Sequence, residues 1–501
     1  MKARAVQPVL AAASILVLCL GADAWAQPAE GKGGKQRGKQ QGAAQKGAPA
    51  AQQPSQPPAP TMMEIAPRVH AALDQIEKAF QDRDAAAMER LTSEQMVAVV
   101  EPADKKGDPT AFDKKTFIGL IKASFGKGAA LPEHRFTERM IEPAGQDVLV
   151  RTLVVDRWPD GRVQSERGVR VMHPENGEWK VLFAAPEVAP LSVFVRHPLM
   201  GSAAQELGIA AGDVVLSYAG VRVLRSNQLQ DLVRMNSTSP SAPELALVVR
   251  RDGAERTFRA RPGMLGVSLE DRLLPDGEGE LIGPDRSHPA KDAFVRQMQN
   301  AQKCDWAAFA GGCCPKGALV FGRTLAGPVV NARALEQNAE ATDFKTVEWF
   351  DVHTIVRGGV AVSTARVMFR LRNNEFSFVM LEGIHVRQGA EWPMVSLAAG
   401  RIFAGPITKP TAEAAAISGE WEWFNGGERV VMQADGGIYR GGKWAGNWLL
   451  LDPAARRYMV CWGQTWFDDF TLSPDGSALT GRNNKNSVVW GKRAMAAGGG
   501  K

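Results

Sequence analysis

Two stretches of this chain, 64–188 and 290–403, run through the same order of elements, and that repetition limits the fold more than any other feature. In the first, Ile65, Val69, Leu73, Ile76 and Phe80 recur at steps of three and four. That spacing predicts an amphipathic helix over EIAPRVHAALDQIEKAFQDRDAAAMERL. A second helix, DKKTFIGLIKASF, is expected to start at an Asp113 cap. Four alternating stretches follow: HRFTERMIEP, QDVLVRTLVVDRW, GRVQSERGVRVMHP and GEWKVLFAAPE. Turns at Pro159-Asp160-Gly161 and Glu175-Asn176-Gly177 join them as hairpins. The second stretch opens with the helix AKDAFVRQMQNAQKCDWAAFA, passes through ARALEQNAEAT, and again ends in alternating strands, with turns at Asn373-Asn374 and Gln388-Gly389. Helices first and a long antiparallel meander second predict helices packed on one curved sheet, twice.

This order resembles the nuclear-transport-factor-2-like superfamily, a cone-shaped fold shared by small isomerases, polyketide cyclases and many non-catalytic domains. The resemblance rests on element order, with no signature motif, and it implies two cone domains. In enzymes of that superfamily, carboxylates or histidines point into the cone. The first copy offers His134, Glu138, Asp156 and Glu166; the second offers His353, Glu382 and His385. Alternation along LEGIHVRQ puts Glu382 and Ile384 on one face and Gly383 and His385 on the other.

Residues 189–270 differ in kind. GSAAQELGIA and AGDVVLSYAG give a small-residue turn, a short helix, a strand and a second turn. The helix SNQLQDLVRM and a hairpin around Asp252-Gly253 complete the unit. It resembles a bacterial PDZ domain, which implies an extended peptide added as a strand beside a helix. Carried onto this chain, the peptide-binding residues are Leu191, Val193 and Val195 on the strand and Leu229, Leu232 and Val233 on the helix. The family's glycine-flanked loop is missing before Leu191 but present as GMLGV at 263–267. Leu265, Gly266 and Val267 would then complete the groove from the C-terminal strand, as in permuted bacterial versions.

After a linker at 271–289 and the second cone, residues 417–493 hold seven of the thirteen tryptophans. Turns at Asn425-Gly426-Gly427, Asp435-Gly436, Asp452-Pro453 and Asp475-Gly476 separate short strands, predicting a small antiparallel barrel or sandwich. Trp421 and Trp423 share one face, as do Trp444 and Trp448; such residues fill a small core or stack on ligands. The fold class expected for the whole is multidomain α+β.

The chain's start is read apart from its fold. Lys2 and Arg4 precede the apolar run AAASILVLCLG, and Ala24–Ala26 offers a small-x-small cleavage site. Residues 1–26 therefore read as a cleaved signal peptide, giving a periplasmic or secreted protein. Cys19 lacks the small residue expected before a lipid-carrying cysteine. Residues 27–63, rich in Gly, Gln, Pro and Lys, are expected to be a disordered basic linker. Signal and linker together carry most of the formal +6 charge, leaving about +1 for the rest, so no basic footprint for nucleic acid is expected.

Cys304, Cys313, Cys314 and Cys461 remain beyond the signal segment. They lack zinc-ligand spacing, so no metal site is expected. Export permits a local disulfide, Cys304 with Cys313 or Cys314. No nucleotide loop, nucleophile motif or cofactor signature occurs, and no cofactor is expected. The function read from the sequence is an exported, non-enzymatic binding or scaffolding protein that recognises an extended or C-terminal peptide. The alternative is a small-molecule enzyme of isomerase, cyclase or hydrolase type, or a ligand-binding protein, using a cone cavity, foremost the second. Homo-oligomerisation through the cones is a further expectation.

Overall fold

The computed structural model describes residues 62–494 apart from 102–107, 127–131, 145–146, 238–242, 264, 276, 315–318, 322–343, 401, 409–410, 425–427 and 464–465. The signal and linker readings thus lie outside the described residues, as does ARALEQNAEAT. No helix among the described residues is long and apolar enough to cross a membrane. The architecture is mixed α+β: three open sheets and a closed eight-stranded barrel at the C-terminal end.

The first unit begins with α1 (Met62–Gln81) and α2 (Ala85–Arg90). The single helix expected here is broken because Arg83 turns to a φ of 58° and Asp84 caps the second helix, accepting from the backbone N–H groups of Ala86 and Ala87. Strands β1 (Thr92–Val100) and β2 (Thr110–Asp113) come next, then α3 (Lys114–Ser124), capped by Asp113 Oδ1 at 2.8 Å from Thr116 N. The expected meander is β3 (Glu133–Ala144), β4 (Asp147–Arg157), β5 (Val163–Glu175) and β6 (Glu178–Pro186). Sheet order is β2-β1-β6-β5-β4-β3. β1 escaped the sequence reading because it pairs in parallel with β6, far away in the chain, so no hairpin turn announces it.

A seven-stranded sheet follows, built on β7 (Leu191–Pro198), β8 (Val214–Tyr218), β9 (Val221–Arg222), β10 (Leu245–Arg251), β11 (Ala254–Ala260) and β12 (Val267–Leu273). It also carries the helices α4 (Ala203–Glu206) and α5 (Ser226–Asn236). The second helix-and-sheet unit contains β13 (Glu280–Ile282), α6 (Pro289–Gln302), α7 (Trp306–Gly311) and β14 (Leu319–Phe321). Its meander is β15 (Phe344–Arg357), β16 (Val360–Leu371), β17 (Phe376–Val386) and β18 (Met394–Gly400). Strand β19 (Phe403–Ala404) returns to the middle sheet, in parallel with β12.

The local disulfide is overturned. All four cysteines are free, with Cys304 exposed and Cys314 buried. Cys304 takes a φ of 54° and ends α6, and α7 then separates it from Cys313. Six helical residues span about 9 Å, too far for the Cα separation a disulfide needs. The backbone of Cys313 instead forms an isolated parallel β-bridge with Met394, and burial pushes its thiol up to about 12.

The two six-stranded sheets pack against each other. Val97, Val99, Leu149, Val169, Val171 and Phe183 of the first form one core with Ile355, Val360, Val362, Ile384, Val386 and Val395 of the second. Period-two alternation supplies this face while the opposite face, with Val148, Val150, Val154 and Val181, packs on the helices. Both faces of each sheet are therefore occupied within one chain. The barrel comprises β20 (Gly419–Trp423), β21 (Glu428–Met432), β22 (Gly437–Arg440), β23 (Lys443–Asp452), β24 (Arg457–Trp462), β25 (Trp466–Leu472), β26 (Ala478–Asn483) and β27 (Val488–Arg493). A short helix, α8 (Ala412–Ala415), precedes it.

Candidate functional site

The layer between helices and sheet in the first unit holds an unusual number of charges. On α1, Val69, Leu73, Ile76 and Phe80 face the core. His70, Asp74 and Glu77 are spaced so that they share a neighbouring stripe. They meet Arg139 of β3, whose side chain is almost fully buried. Arg139 donates to Asp74 Oδ1 at 3.0 Å and to His70 Nδ1 at 2.7 Å.

Across the sheet, register carries the seam further. Arg139 lies opposite Thr152, and Thr152 Oγ1 accepts from Arg170 Nη1 at 2.9 Å. Arg170 lies opposite Val150 and Glu166 opposite Val154, both core valines of the helix side. Partners across an antiparallel pair share a face, so Arg170 and Glu166 project into the same layer. Asp156 is on that face too, one pair further on, and is buried.

Lost solvation dominates the electrostatics. Burial lifts Glu166 to about 7, helped by the nearby charges of Glu101 and Asp156 and opposed by Arg357 and Arg170. Burial also lifts Glu77 to about 7, against the pull of Arg139. His70 is lowered, by burial first and by Arg139 second. Glu77 Oε2 has no hydrogen-bond partner. Two carboxyl groups poised near neutrality, beside two guanidinium groups, can take and return a proton around pH 7.

The second unit has a different interior. Phe294, Met298, Phe309, Val347, Val367, Leu381 and Met394 fill it. His385 is wholly buried there, edge-on to Phe294 at 5.9 Å, with Nδ1 3.2 Å from the Trp392 carbonyl oxygen. That oxygen can only accept, so Nδ1 carries the proton. Nε2 is left without a partner. Burial lowers His385 to about 4.

Glu382 lies on the other face of β17, as alternation required, and that face meets the first sheet. It pairs with Arg151, which also donates to Glu187 Oε1 at 2.8 Å and comes within 3.9 Å of Glu142 Oε1. Glu382, one of the three candidates for the second cone, thus sits between the sheets and outside that unit's helix-side interior. His353 is also buried, against Phe403 at 5.1 Å, near Arg272 and Arg366.

In the middle unit, Leu191, Val193 and Val195 belong to β7, which pairs with β8 along one edge and β12 along the other. A peptide has no edge to join there, and this placement of the strand is corrected. Leu229 and Leu265 are buried in the unit's core, with Leu232, Val233 and Val267 at its margin. Gly266, at a φ of 68°, brings the chain so close to Ser202 that a Cβ could not fit.

Of the first cone's candidates, Glu138 faces away from the seam and pairs with Arg167 at 3.0 Å. His134 has a side chain outside the described residues. Sequence reading missed Glu77, Arg139 and Arg170. The signal was available: in GVRVMHP, Arg170 falls in register with core residues.

No family model matches the chain, and no curated protein matches it. Solved structures do show partial likeness. An NTF2-like protein of unknown function from Pseudomonas putida KT2440 is 15% identical over 25% of this chain and 88% of its own, with a TM-score of 0.22. One from Cytophaga hutchinsonii is 16% identical over 24% and 93%, with a TM-score of 0.20. One from Shewanella baltica is 15% identical over 26% and 96%, with a TM-score of 0.21. Each likeness spans about a quarter of this chain.

Proposed function

We propose that the first helix-and-sheet unit binds a small polar organic molecule and moves a proton on it, making the protein an acid–base enzyme or a ligand-binding protein of that chemistry. The observation that carries this reading is that Glu77 of α1 and Glu166 of β5, both bordering the layer between helices and sheet, are each lifted to about 7. A carboxyl group near neutrality is available both as acid and as base, the condition for general acid–base work at physiological pH. Arg139 and Arg170 would hold negative charge that develops on a carbonyl or carboxylate oxygen. The second unit, whose helix-side interior around His385 is mainly apolar, supports the reading less well. On the signal-like first 26 residues, we place this activity outside the cytoplasm.

Solvent-deuterium incorporation tests it without knowledge of the product. The full chain, incubated in heavy water with a panel of small keto acids and cyclic ketones, should label at least one compound at a carbon beside the carbonyl. Glu166→Gln should abolish labelling while leaving the melting temperature within a few degrees. A panel with neither labelling nor any thermal stabilisation would reject this reading.

One observation favours a second reading, peptide recognition by the middle, PDZ-like unit. The outer edge of β12 meets β19 only at Arg272 and Leu273, leaving Val267–Asp271 without a strand on that side among the described residues. Val267 and Leu269 lie at the core's margin with Leu232 and Val233 of α5. Ser226, at the head of α5, is tied to Asp271 at 2.8 and 2.9 Å, which fixes helix against strand. A peptide with an apolar C-terminal residue would add beside Val267, with micromolar affinity, about 8 kcal/mol. Display of random C-termini should enrich apolar ends on the native chain and not on Val233→Asp. No enrichment on either would remove this reading.

A further inference from the structure

The C-terminal barrel is sealed at one end and dressed with aromatic side chains at the other. At the sealed end, Trp421 is fully buried and donates from Nε1 to the Ile417 carbonyl oxygen at 2.8 Å. The Arg493 guanidinium lies 4.5 Å over the Trp421 ring and donates to the Ala416 and Ser418 carbonyl oxygens. Tyr458 ties its hydroxyl to the Glu413 carbonyl oxygen at 2.9 Å, fixing α8 across the opening.

The opposite end is formed where β20 turns to β21, β22 to β23, β24 to β25 and β26 to β27. Phe424 is 38% exposed and Trp466 45%, and both stand at those tips. Exposed aromatic rings at one end of a barrel are a common mark of a binding site. Below the rim, Trp423 meets Trp462 edge-on at 5.4 Å and Phe470 at 5.1 Å.

Among these rings lies a carboxyl group. Asp468 follows the inward alternation of Phe470 and Leu472 on β25, and it is 1% exposed. Its Oδ2 accepts from Trp462 Nε1 at 2.5 Å. Oδ1 has no hydrogen bond of acceptable geometry. Arg440, the nearest cation, spends itself elsewhere: its guanidinium lies 5.1 Å over the Trp462 ring and its Nε reaches Glu428 at 3.1 Å. A buried carboxylate short of one partner and walled by indoles fits one ligand chemistry well. A positive head would satisfy the charge, and aromatic faces attract cations and cover apolar groups. A neutral sugar would stack equally well but leave the charge uncompensated.

We propose that the end of this barrel opposite α8 binds an organic ammonium ion, its head at Asp468 Oδ1 and its apolar body among Trp462, Trp466 and Phe424. The site is separate from the proton-transfer seam of the first unit and stands or falls independently of it.

Phenethylammonium is the probe, with 2-phenylethanol as its neutral counterpart, both titrated calorimetrically into the full chain at pH 7.5. The ammonium should bind and the alcohol should bind on the order of tenfold more weakly or not at all. Asp468→Asn should weaken the ammonium on the order of tenfold. Trp466→Ala, at a position 45% exposed, should weaken it a few-fold. Burial raises Asp468 to about 6, against the indoles of Trp462 and Trp466 and the charge of Arg440. Cys461, the other titrating neighbour, is pushed up to about 11 and stays neutral. Affinity should therefore fall as the pH drops through about 6, and Glu166→Gln should not alter it. Equal binding of ammonium and alcohol, an unchanged affinity in Trp466→Ala, or no heat with either probe would overturn the proposal. Should Asp468→Asn fail to fold, the pH series and Trp466→Ala decide.

Discussion

The two helix-and-sheet units share an order of elements and a common interface, yet the first adds a set of buried charges to its apolar core. The first buries Glu77, Arg139, Asp156 and Arg170 between helices and sheet. The second buries Phe294, Met298, Phe309 and Leu381 in the corresponding layer, with His385 as its one titrating ring. An apolar interior is the cheaper way to stabilise a fold, because each buried charge must be compensated. Of the two, the second unit is built more for stability, and the first carries a polar layer that stability alone does not require. The same sheet architecture thus separates a structural task from a chemical one by what it places at the inward positions of a few strands.

The largest effect should come from the seam that joins the units. Arg151→Met leaves Glu142, Glu187 and Glu382 facing one another without their cation. Removing one partner from a buried cluster costs about 3–5 kcal/mol. Urea unfolding should show that loss, with both units melting together; a change below about 1 kcal/mol would mean the sheets do not depend on this contact.

Inside the units the comparison predicts unequal responses to packing changes. Phe294→Ala should cost about 3–5 kcal/mol, since the ring is fully buried in the apolar layer. Gly383→Ala places a methyl group 2.8 Å from the Phe294 ring, and overpacking there should cost about 1–3 kcal/mol. Both are read by thermal melting. Were Gly383→Ala neutral, the second interior would have room that its packing denies.

The smallest effect is the most telling, because its sign differs between the units. Glu77 and Glu166 have pKa values raised from about 4.5 to about 7 in the fold. Between those values the folded state binds more protons than the unfolded one, so acidification from pH 7 stabilises the first unit. His385 is lowered from 6.5 to about 4. Over that window the folded state binds fewer protons, so acidification destabilises the second unit. Hydrogen exchange from pH 7 to 5, corrected for the intrinsic rate, should show β4 and β5 better protected and β17 less so. Glu166→Gln should flatten the first trend and His385→Phe the second. Parallel trends in both units would remove the contrast.

Much of this was present in the sequence. Apolar spacing along 65–80 marked the face of α1, Asp113 marked the start of α3, and the turn residues placed the β4–β5 and β5–β6 hairpins of the first meander. Alternation also separated Glu382 from His385 correctly, because a strand's side chains have no choice but to alternate. Chain distance set the limit. β1 finds its partner far along the chain, so nothing local announces it, and the same distance hid the pairing of β7 with β12 that closes the edge expected for a peptide. The cysteine reading failed for a related reason: proximity in sequence says little once a helical turn intervenes. The sequence by itself determined which residues form helices and strands and which share a face. Only the tertiary structure decided what each face meets, and so which charges lose water. Burial and register across strands set the protonation of Glu77, Glu166 and Asp468, and neither quantity exists until the chain has folded.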